Sequence, residues 1–270
     1  MSAALSLNQI SEGSEHIQAD LQNDMSRPMK IAKVNLFNVC AWVLAFCALF
    51  TTMLLLAREV APERSSTTMN DDVWRATYVE GWQEALAVGF SVGPVDGPVK
   101  IVSFEDFQCP HCSRLEEVVK KIRAKYPDQV AFSFAPFPLP YHDFAETAQR
   151  AVECAQAQGQ YDSMRSLLLD KQQAFGSLEW KYFAVQTGIE DIAEFDECVS
   201  ATDPLESIEQ SKIIAEKLGV RGTPTVFVNG WKLPVVPSFE VIDKMATNVI
   251  EGKPPAADID FLAIANSARK

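Results

Sequence analysis

The chain is 270 residues long, room for one large domain or two small ones, and its 47% apolar content suffices for a sizeable core. Its 36 Asp and Glu against 24 Lys and Arg leave a formal charge of −12, which argues against nucleic acid as a partner. An acidic surface of this kind names no partner by itself.

Residues 1–33 are polar and carry no clear apolar period, the pattern of a cytoplasmic tail. Val34 to Ala57 then runs for 24 residues without a charge. A helix of that length reaches across the roughly 30 Å hydrocarbon core of a bilayer. A buried helix of a soluble protein rarely runs so far without a polar face. A cleaved signal peptide has a shorter apolar region and a small-x-small site. Here the only candidate site before the charges is Leu55-Leu56-Ala57, a poor match, so an uncleaved transmembrane signal anchor is expected over 34–57. Arg27, Lys30 and Lys33 precede the span, whereas Arg58 and Arg64 beyond it are accompanied by Glu59 and Glu63. That bias places the N-terminus inside and residues 58–270 outside, in a single-pass membrane protein whose outer part sits where disulfides persist. Cys40 and Cys47, seven apart on one face of the span, read as apolar packing residues.

After the span, Pro62 and the run Ser65, Ser66, Thr67, Thr68 mark a flexible spacer. Asp71 and Asp72 suit a helix start, and Val73, Trp74, Tyr78, Trp82, Ala85 and Leu86 recur at helical spacing, so a packing helix is expected within 58–93. Gly93-Pro94 and Asp96-Gly97-Pro98 are turn signals that open a domain over 94–252. Val99 to Phe104 reads as a buried strand, Ser113 to Lys125 as a helix, and Val130 to Phe134 as a second strand ended by Pro136, Pro138 and Pro140. From about 142 to 203 the chain is rich in Ala, Gln, Leu and Glu, a helical insertion of about four short helices. Asp203 and Pro204 suit the cap and first position of a helix running to Leu218, with Gly219 as its stop. Thr225 to Val228 is a strand, Asn229-Gly230 a hairpin turn and Trp231 to Val236 its partner, an edge strand because of Pro234. Ser238 opens a last helix through Ile250, and 253–270 is left as a C-terminal tail. The order of elements is α/β.

The chemistry concentrates in Cys109-Pro110-His111-Cys112, between the first strand and its helix. Two cysteines two residues apart can close a small disulfide at a helix start, where the N-terminus stabilises a thiolate. Zinc would need four ligands; no second cysteine pair follows, and the histidines are only His16, His111 and His142, so no metal is expected. A purely structural disulfide is the bland alternative. Gly222-Thr223-Pro224-Thr225 directly precedes a strand; it fits a cis proline and, equally, an ordinary trans edge proline. Phe132, Phe134, Phe137 and Tyr141 are core residues by default.

Together, Phe104-Glu105-Asp106-Phe107-Gln108-Cys109-Pro110-His111-Cys112 and Val220-Arg221-Gly222-Thr223-Pro224-Thr225-Val226-Phe227-Val228-Asn229-Gly230 resemble the DsbA-like branch of the thioredoxin superfamily over residues 94–250. The resemblance implies a thioredoxin-like fold with an inserted helical domain, no cofactor, and a bacterial inner membrane with the domain on the periplasmic side. It implies Cys109 as the exposed attacking sulfur, Cys112 as the shielded partner, and His111 as a positive or hydrogen-bonding contributor to the thiolate. Pro224, if cis, would lie against the pair, with Thr223 offering backbone hydrogen bonds to an extended substrate. Glu116 matches an acidic position of the family and is a candidate for proton transfer; a solvated helix residue is the alternative. Ser103 stands where many thioredoxin-like proteins carry a buried acid, and Thr223 where some DsbA proteins have Val, which loosens any inference about direction. Cys154 and Cys198, in the helical block, are either a second, structural disulfide, as in some relatives, or two buried free thiols; the bridge is favoured.

The expected activity is introduction of disulfides into reduced or unfolded extracytoplasmic proteins, with reoxidation by a DsbB-like or vitamin-K-epoxide-reductase-like membrane partner. A reductase or isomerase of the same fold is the first alternative, and a non-catalytic membrane-tethered binding module the second.

Overall fold

A computed structural model describes residues 44–53 and 75–267. The chain divides into two units, residues 1–66 and 67–270. In the first, residues 44–53 are helical, with Leu44, Phe46, Leu49, Phe50 and Met53 all exposed. The Thr51 and Thr52 hydroxyls there donate back to carbonyls one turn earlier, at 2.9 Å. The rest of the expected span, the tail before it and the spacer after it lie outside the described residues. Among those described, no helix is long and apolar enough to cross a membrane.

The second unit is built on a six-stranded sheet. Its strands are β1 (Thr77–Tyr78), β2 (Phe90–Val92), β3 (Val99–Glu105), β4 (Val130–Pro136), β5 (Thr225–Val228) and β6 (Trp231–Lys232), in the order β1-β6-β5-β3-β4-β2. Central β3 runs parallel to β4 and antiparallel to β5. Both faces of β3 are covered, which is why it reads as a nearly continuous apolar run rather than an alternation. Val99 and Ile101 face one core with the cysteine pair; Val102 and Phe104 face a second core with Trp82, Ala85, Leu218 and Phe227.

The helices are α1 (Glu84–Val88), α2 (Pro110–Lys125), α3 (Ala145–Ala157), α4 (Tyr161–Asp170), α5 (Trp180–Thr187), α6 (Ile192–Ser200), α7 (Glu206–Lys217), α8 (Phe239–Ile250) and α9 (Phe261–Ser267). α2 joins β3 to β4 and packs with α4 and α8 on the first face, while α1 and α7 pack together on the other. The insertion between β4 and α7 consists of four helices, α3 to α6, as expected, plus a 3-10 turn at Gln172–Ala174. A disulfide between Cys154 of α3 and Cys198 of α6 ties its first helix to its last, with Cα atoms 6.0 Å apart.

Several expectations need correction. Among the described residues 75–93 the expected packing helix is reduced to Glu84–Val88: Thr77–Tyr78 is an edge strand paired with Trp231–Lys232, although Trp82 and Ala85 are buried as anticipated. Asp71 to Trp74 lie outside the described residues. With β1 and β2 in the sheet, the domain begins well before residue 94. Strands of two and three residues are imposed by partner strands and leave no local pattern to read.

The motif helix starts at Pro110 rather than Ser113, because proline suits the first helical position, where no N–H is required. α7 begins at Glu206, not Pro204; Asp203 instead pairs with Arg150 of α3. After Lys232 the hairpin partner ends, although Leu233 N–H still reaches the Val226 carbonyl at 2.9 Å, and Pro234 cannot continue the ladder. As far as Ser267 the expected tail is packed structure: Asn248 Nδ2 donates to the carbonyls of Pro255 and Ala257, and Phe261 of α9 is buried in the core. The Asn229-Gly230 turn is as expected, with φ of 45° and 87°; a Cβ on Gly230 would sit 2.5 Å from the Trp82 ring.

Candidate active site

Sheet register brings the two sequence motifs together. Phe104 of β3 lies opposite Thr225 of β5, so the end of β3 meets the start of its antiparallel neighbour. The Cys109–Cys112 loop leaves one strand where Gly222-Thr223-Pro224 enters the other, although 114 residues separate Cys109 from Thr223. The Thr223–Pro224 peptide is cis, and Cys109 Sγ lies 3.3 Å from the Thr223 carbonyl oxygen, which accepts from the thiol.

Cys109 is the N-cap of α2; its carbonyl accepts from the N–H groups of Cys112 and Ser113 at 3.0 and 3.3 Å. Its thiol is pulled down to about 5. The Cys112 thiol, donating to the Cys109 sulfur, does most of this; burial opposes it, and the Thr223 side chain and the N–H groups of Cys112 and His111 lower it further. The Thr223 hydroxyl is buried and otherwise unpartnered, well suited to donate to a thiolate. Cys112 goes the opposite way: burial pushes its thiol well above the ordinary range, and hydrogen bonding to Cys109 and the nearby Glu105 charge add to this. The Asp106 N–H points at Cys112 Sγ from 3.5 Å.

The expected exposure of Cys109 is corrected: the residue is 4% exposed and Cys112 0%, so only the order of accessibility holds. The helical insertion accounts for part of the cover. Gln172 Nε2, in the 3-10 turn, donates to the carbonyls of Phe107 and Cys109 at 2.8 and 2.9 Å, clamping the loop that carries Cys109. Pro110 and His111 are exposed, and Arg114 Nη2 donates to His111 Nδ1 one turn along the helix.

Glu116 is no solvated helix residue. It lies one turn below Cys112 on the buried stripe of α2 and is ion-paired to Arg165. Tyr141 is 71% exposed rather than core, whereas Phe132 and Phe134 are buried.

Sequence reading passed over Asp106, His142, Gln172, Glu105 and Arg165. Asp106 is buried and its carboxylate accepts from Gln108 N–H, Leu139 N–H and His142 Nδ1 at 2.7, 2.7 and 2.8 Å, bracing the loop before Cys109. Two adjacent acids at the end of an apolar strand were the available signal for Glu105 and Asp106. Nothing local marks Gln172 or Arg165. Among the described residues no cluster of three His, Cys, Asp or Glu is arranged to hold a metal ion.

A family model described as thioredoxin matches residues 87–245, more than half of the chain. The chain belongs to the thioredoxin family. Thioredoxin-like solved structures agree in fold. BdbD from Bacillus subtilis, in its oxidised form, is 20% identical with a TM-score of 0.55, covering 62% of this chain and 95% of its own. A thioredoxin-like oxidoreductase from Silicibacter pomeroyi is 23% identical with a TM-score of 0.54, covering 63% and 97%. Among curated sequences, a Na(+)/H(+) antiporter NhaA 1 from Mycolicibacterium vanbaalenii is 35% identical over 144 residues, which is 51% of this chain and 23% of that protein. NhaA 3 from Salinispora tropica is 32% identical over 139 residues, 51% and 21% respectively. The chain thus spans less than a quarter of the length of these curated relatives.

Proposed function

We propose that this thioredoxin-family chain is a membrane-anchored thiol:disulfide oxidoreductase that passes its Cys109–Cys112 disulfide to reduced or unfolded proteins outside the cytoplasm. The opposite displacement of the two thiols carries this reading. A Cys109 thiol held near 5 is a thiolate at neutral pH, so the reduced pair is stabilised and the disulfide oxidises other thiols. A substrate thiolate attacks Cys109 Sγ, Cys112 leaves, and a second substrate thiolate displaces Cys109 to complete the substrate disulfide. Two electrons then rest on the pair and leave to a DsbB-like or vitamin-K-epoxide-reductase-like membrane partner. Thr223, beside cis Pro224, supplies backbone groups for an extended substrate, with Glu116 in the charge network under Cys112. The charge-free run of 34–57 and the outward-facing apolar side chains of 44–53 support the anchor on the bacterial inner membrane, with the domain on the periplasmic side.

Acid trapping of cells followed by alkylation reads the state of the pair in place. An oxidase keeps Cys109 and Cys112 mostly disulfide-bonded; a pair found mostly reduced would overturn the oxidising direction and favour a reductase or isomerase. A pair that resists mild reduction altogether would leave only a structural disulfide in a binding module.

A further inference from the structure

The charge of this chain is not spread evenly around the cysteine pair. The whole chain carries −12, yet exposed arginines flank the Cys109–Thr223 contact on both of its walls. Arg114 is exposed on α2, five residues past Cys109, a helical rise of about 7.5 Å. Its Nη2 donates to His111 Nδ1, which holds the guanidinium beside the first turn of the helix. Arg221 is exposed on the other wall, two residues before Thr223 and so at most about 7 Å of chain from it. Both positions lie within roughly one Debye length of the contact, about 8 Å in physiological salt, so their fields reach a chain approaching the sulfur.

Neither arginine is spent on a carboxylate. Among the described residues Arg114 and Arg221 form no ion pair, whereas exposed cations elsewhere are matched: Arg123 with Asp162, Lys125 with Asp243 and Lys217 with Glu84. The acids close to the pair turn inward. Arg165 Nη2 donates to Glu105 Oε2 at 2.7 Å and its Nη1 to Glu116 Oε2, all three residues being buried, and Asp106 is buried against His142. Glu117, the exposed acid of α2, pairs with Lys120 at 3.2 Å. Asp143, exposed on the loop that Asp106 binds, is one acid against two arginines. The rim of the site is thus positive on an acidic protein. Nor do the arginines serve the Cys109 sulfur directly, whose donors are Cys112, Thr223 and the N–H groups of Cys112 and His111.

We propose that Arg114 and Arg221 select, as reaction partners for Cys109, cysteine segments flanked by Asp or Glu. This rests on the redox reading of the pair. An extended segment held at Thr223, with its cysteine at Cys109 Sγ, has its flanking residues within reach of both arginines. A guanidinium offers a fork of N–H donors that matches a carboxylate in a fixed geometry. An acid beside a cysteine also hinders ionisation of that thiol, and two fixed cations at the rim offset the hindrance where the thiolate has to form. The overall charge of −12 opposes the approach of an acidic segment, so the preference is set locally by the two arginines. The covalent step is unaltered: the substrate sulfur bonds to Cys109 Sγ, and the electrons of the Cys109–Cys112 bond leave on Cys112.

The test uses the oxidised full chain and three reduced peptides of one length, with the cysteine flanked by Asp, by Ser or by Lys. Each rate of mixed-disulfide formation is divided by that peptide's rate with an uncharged small disulfide, which removes differences between the peptide thiols. The Asp peptide is expected to react on the order of 10-fold faster than the Lys peptide in low salt, with Ser between them and the ratio falling toward one as salt is added. R114Q/R221Q should bring the ratio near one, and R114E/R221E should invert it. Each ratio is taken within one protein, so a change in the intrinsic reactivity of Cys109 cancels. A wild-type ratio of one, a preference for Lys, a ratio indifferent to salt, or the wild-type ratio kept in R114Q/R221Q would overturn the assignment. Should the double variants fail to fold, R114Q and R221Q singly replace them, and each must lose part of the ratio. A wild type that exchanges with none of the peptides would defeat the redox reading itself, whereas an active wild type indifferent to flanking charge defeats only the selection.

Discussion

Cys109 and Cys112 are the same amino acid three positions apart, yet their surroundings push their thiols in opposite directions. Cys109, at the start of α2, gathers donors from Cys112, Thr223 and two backbone N–H groups; Cys112, one turn in, meets burial and the Glu105 charge. The consequence for stability has a definite sign. The folded Cys109 thiol lies below its unfolded value of about 8.5. Its contribution to the reduced form is therefore complete above the unfolded value and is lost as pH falls through about 5. Urea unfolding of both redox forms should show the reduced form gaining on the oxidised form between about pH 5 and 8.5. Iodoacetamide should modify Cys109 with a midpoint near 5. A midpoint near the ordinary thiol value would contradict the assigned geometry.

On the scale of elements, α2 carries both cysteines, but elements remote in sequence hold them in place. β5 brings Thr223-Pro224, α4 brings Arg165, and the 3-10 turn of the insertion brings Gln172, whose two hydrogen bonds fix the carbonyls on either side of Gln108. Replacing Gln172 by Ala leaves two partly buried acceptors without this donor. The expected cost is about 1–3 kcal/mol in denaturant unfolding, with faster alkylation of Cys109 as the clamped loop loosens. An unchanged midpoint and alkylation rate would mean that the clamp contributes nothing. The insertion is thus part of the candidate active site, which its composition alone does not suggest. Its existence and number of helices were legible because Ala, Leu, Gln and Glu favour helices. The short strands β1 and β2 were not, since a two- or three-residue strand has no period.

Across the whole molecule, the Cys154–Cys198 disulfide closes a 44-residue separation within the insertion. The chain-entropy model assigns such a closure about 4 kcal/mol. The double variant C154A/C198A should lose stability of up to that size in thermal or urea unfolding, while exchange at Cys109 continues in the folded fraction. Loss of exchange in well-folded variant would instead tie this bridge to the chemistry.

The motif Cys109-Pro110-His111-Cys112, its place between a buried strand and a helix, and the strand-turn-strand around Asn229-Gly230 were determined by sequence alone. Each depends on interactions within a dozen residues: proline at the first helical position, left-handed turn residues, continuous apolar runs. The meeting of Cys109 with Thr223, the burial of the Cys109 sulfur, the Cys154–Cys198 bridge and the Glu105–Arg165–Glu116 group were decided by tertiary structure. They join elements 44 to 114 residues apart, and the pairing of β3 with β5, the packing of α4 against α2 and the packing of α3 against α6 bring those side chains within reach. Charge placement follows the same division. The sequence left Glu116 either a proton-transfer candidate or a solvated helix residue, and a buried arginine 49 positions later in the chain makes it part of the interior.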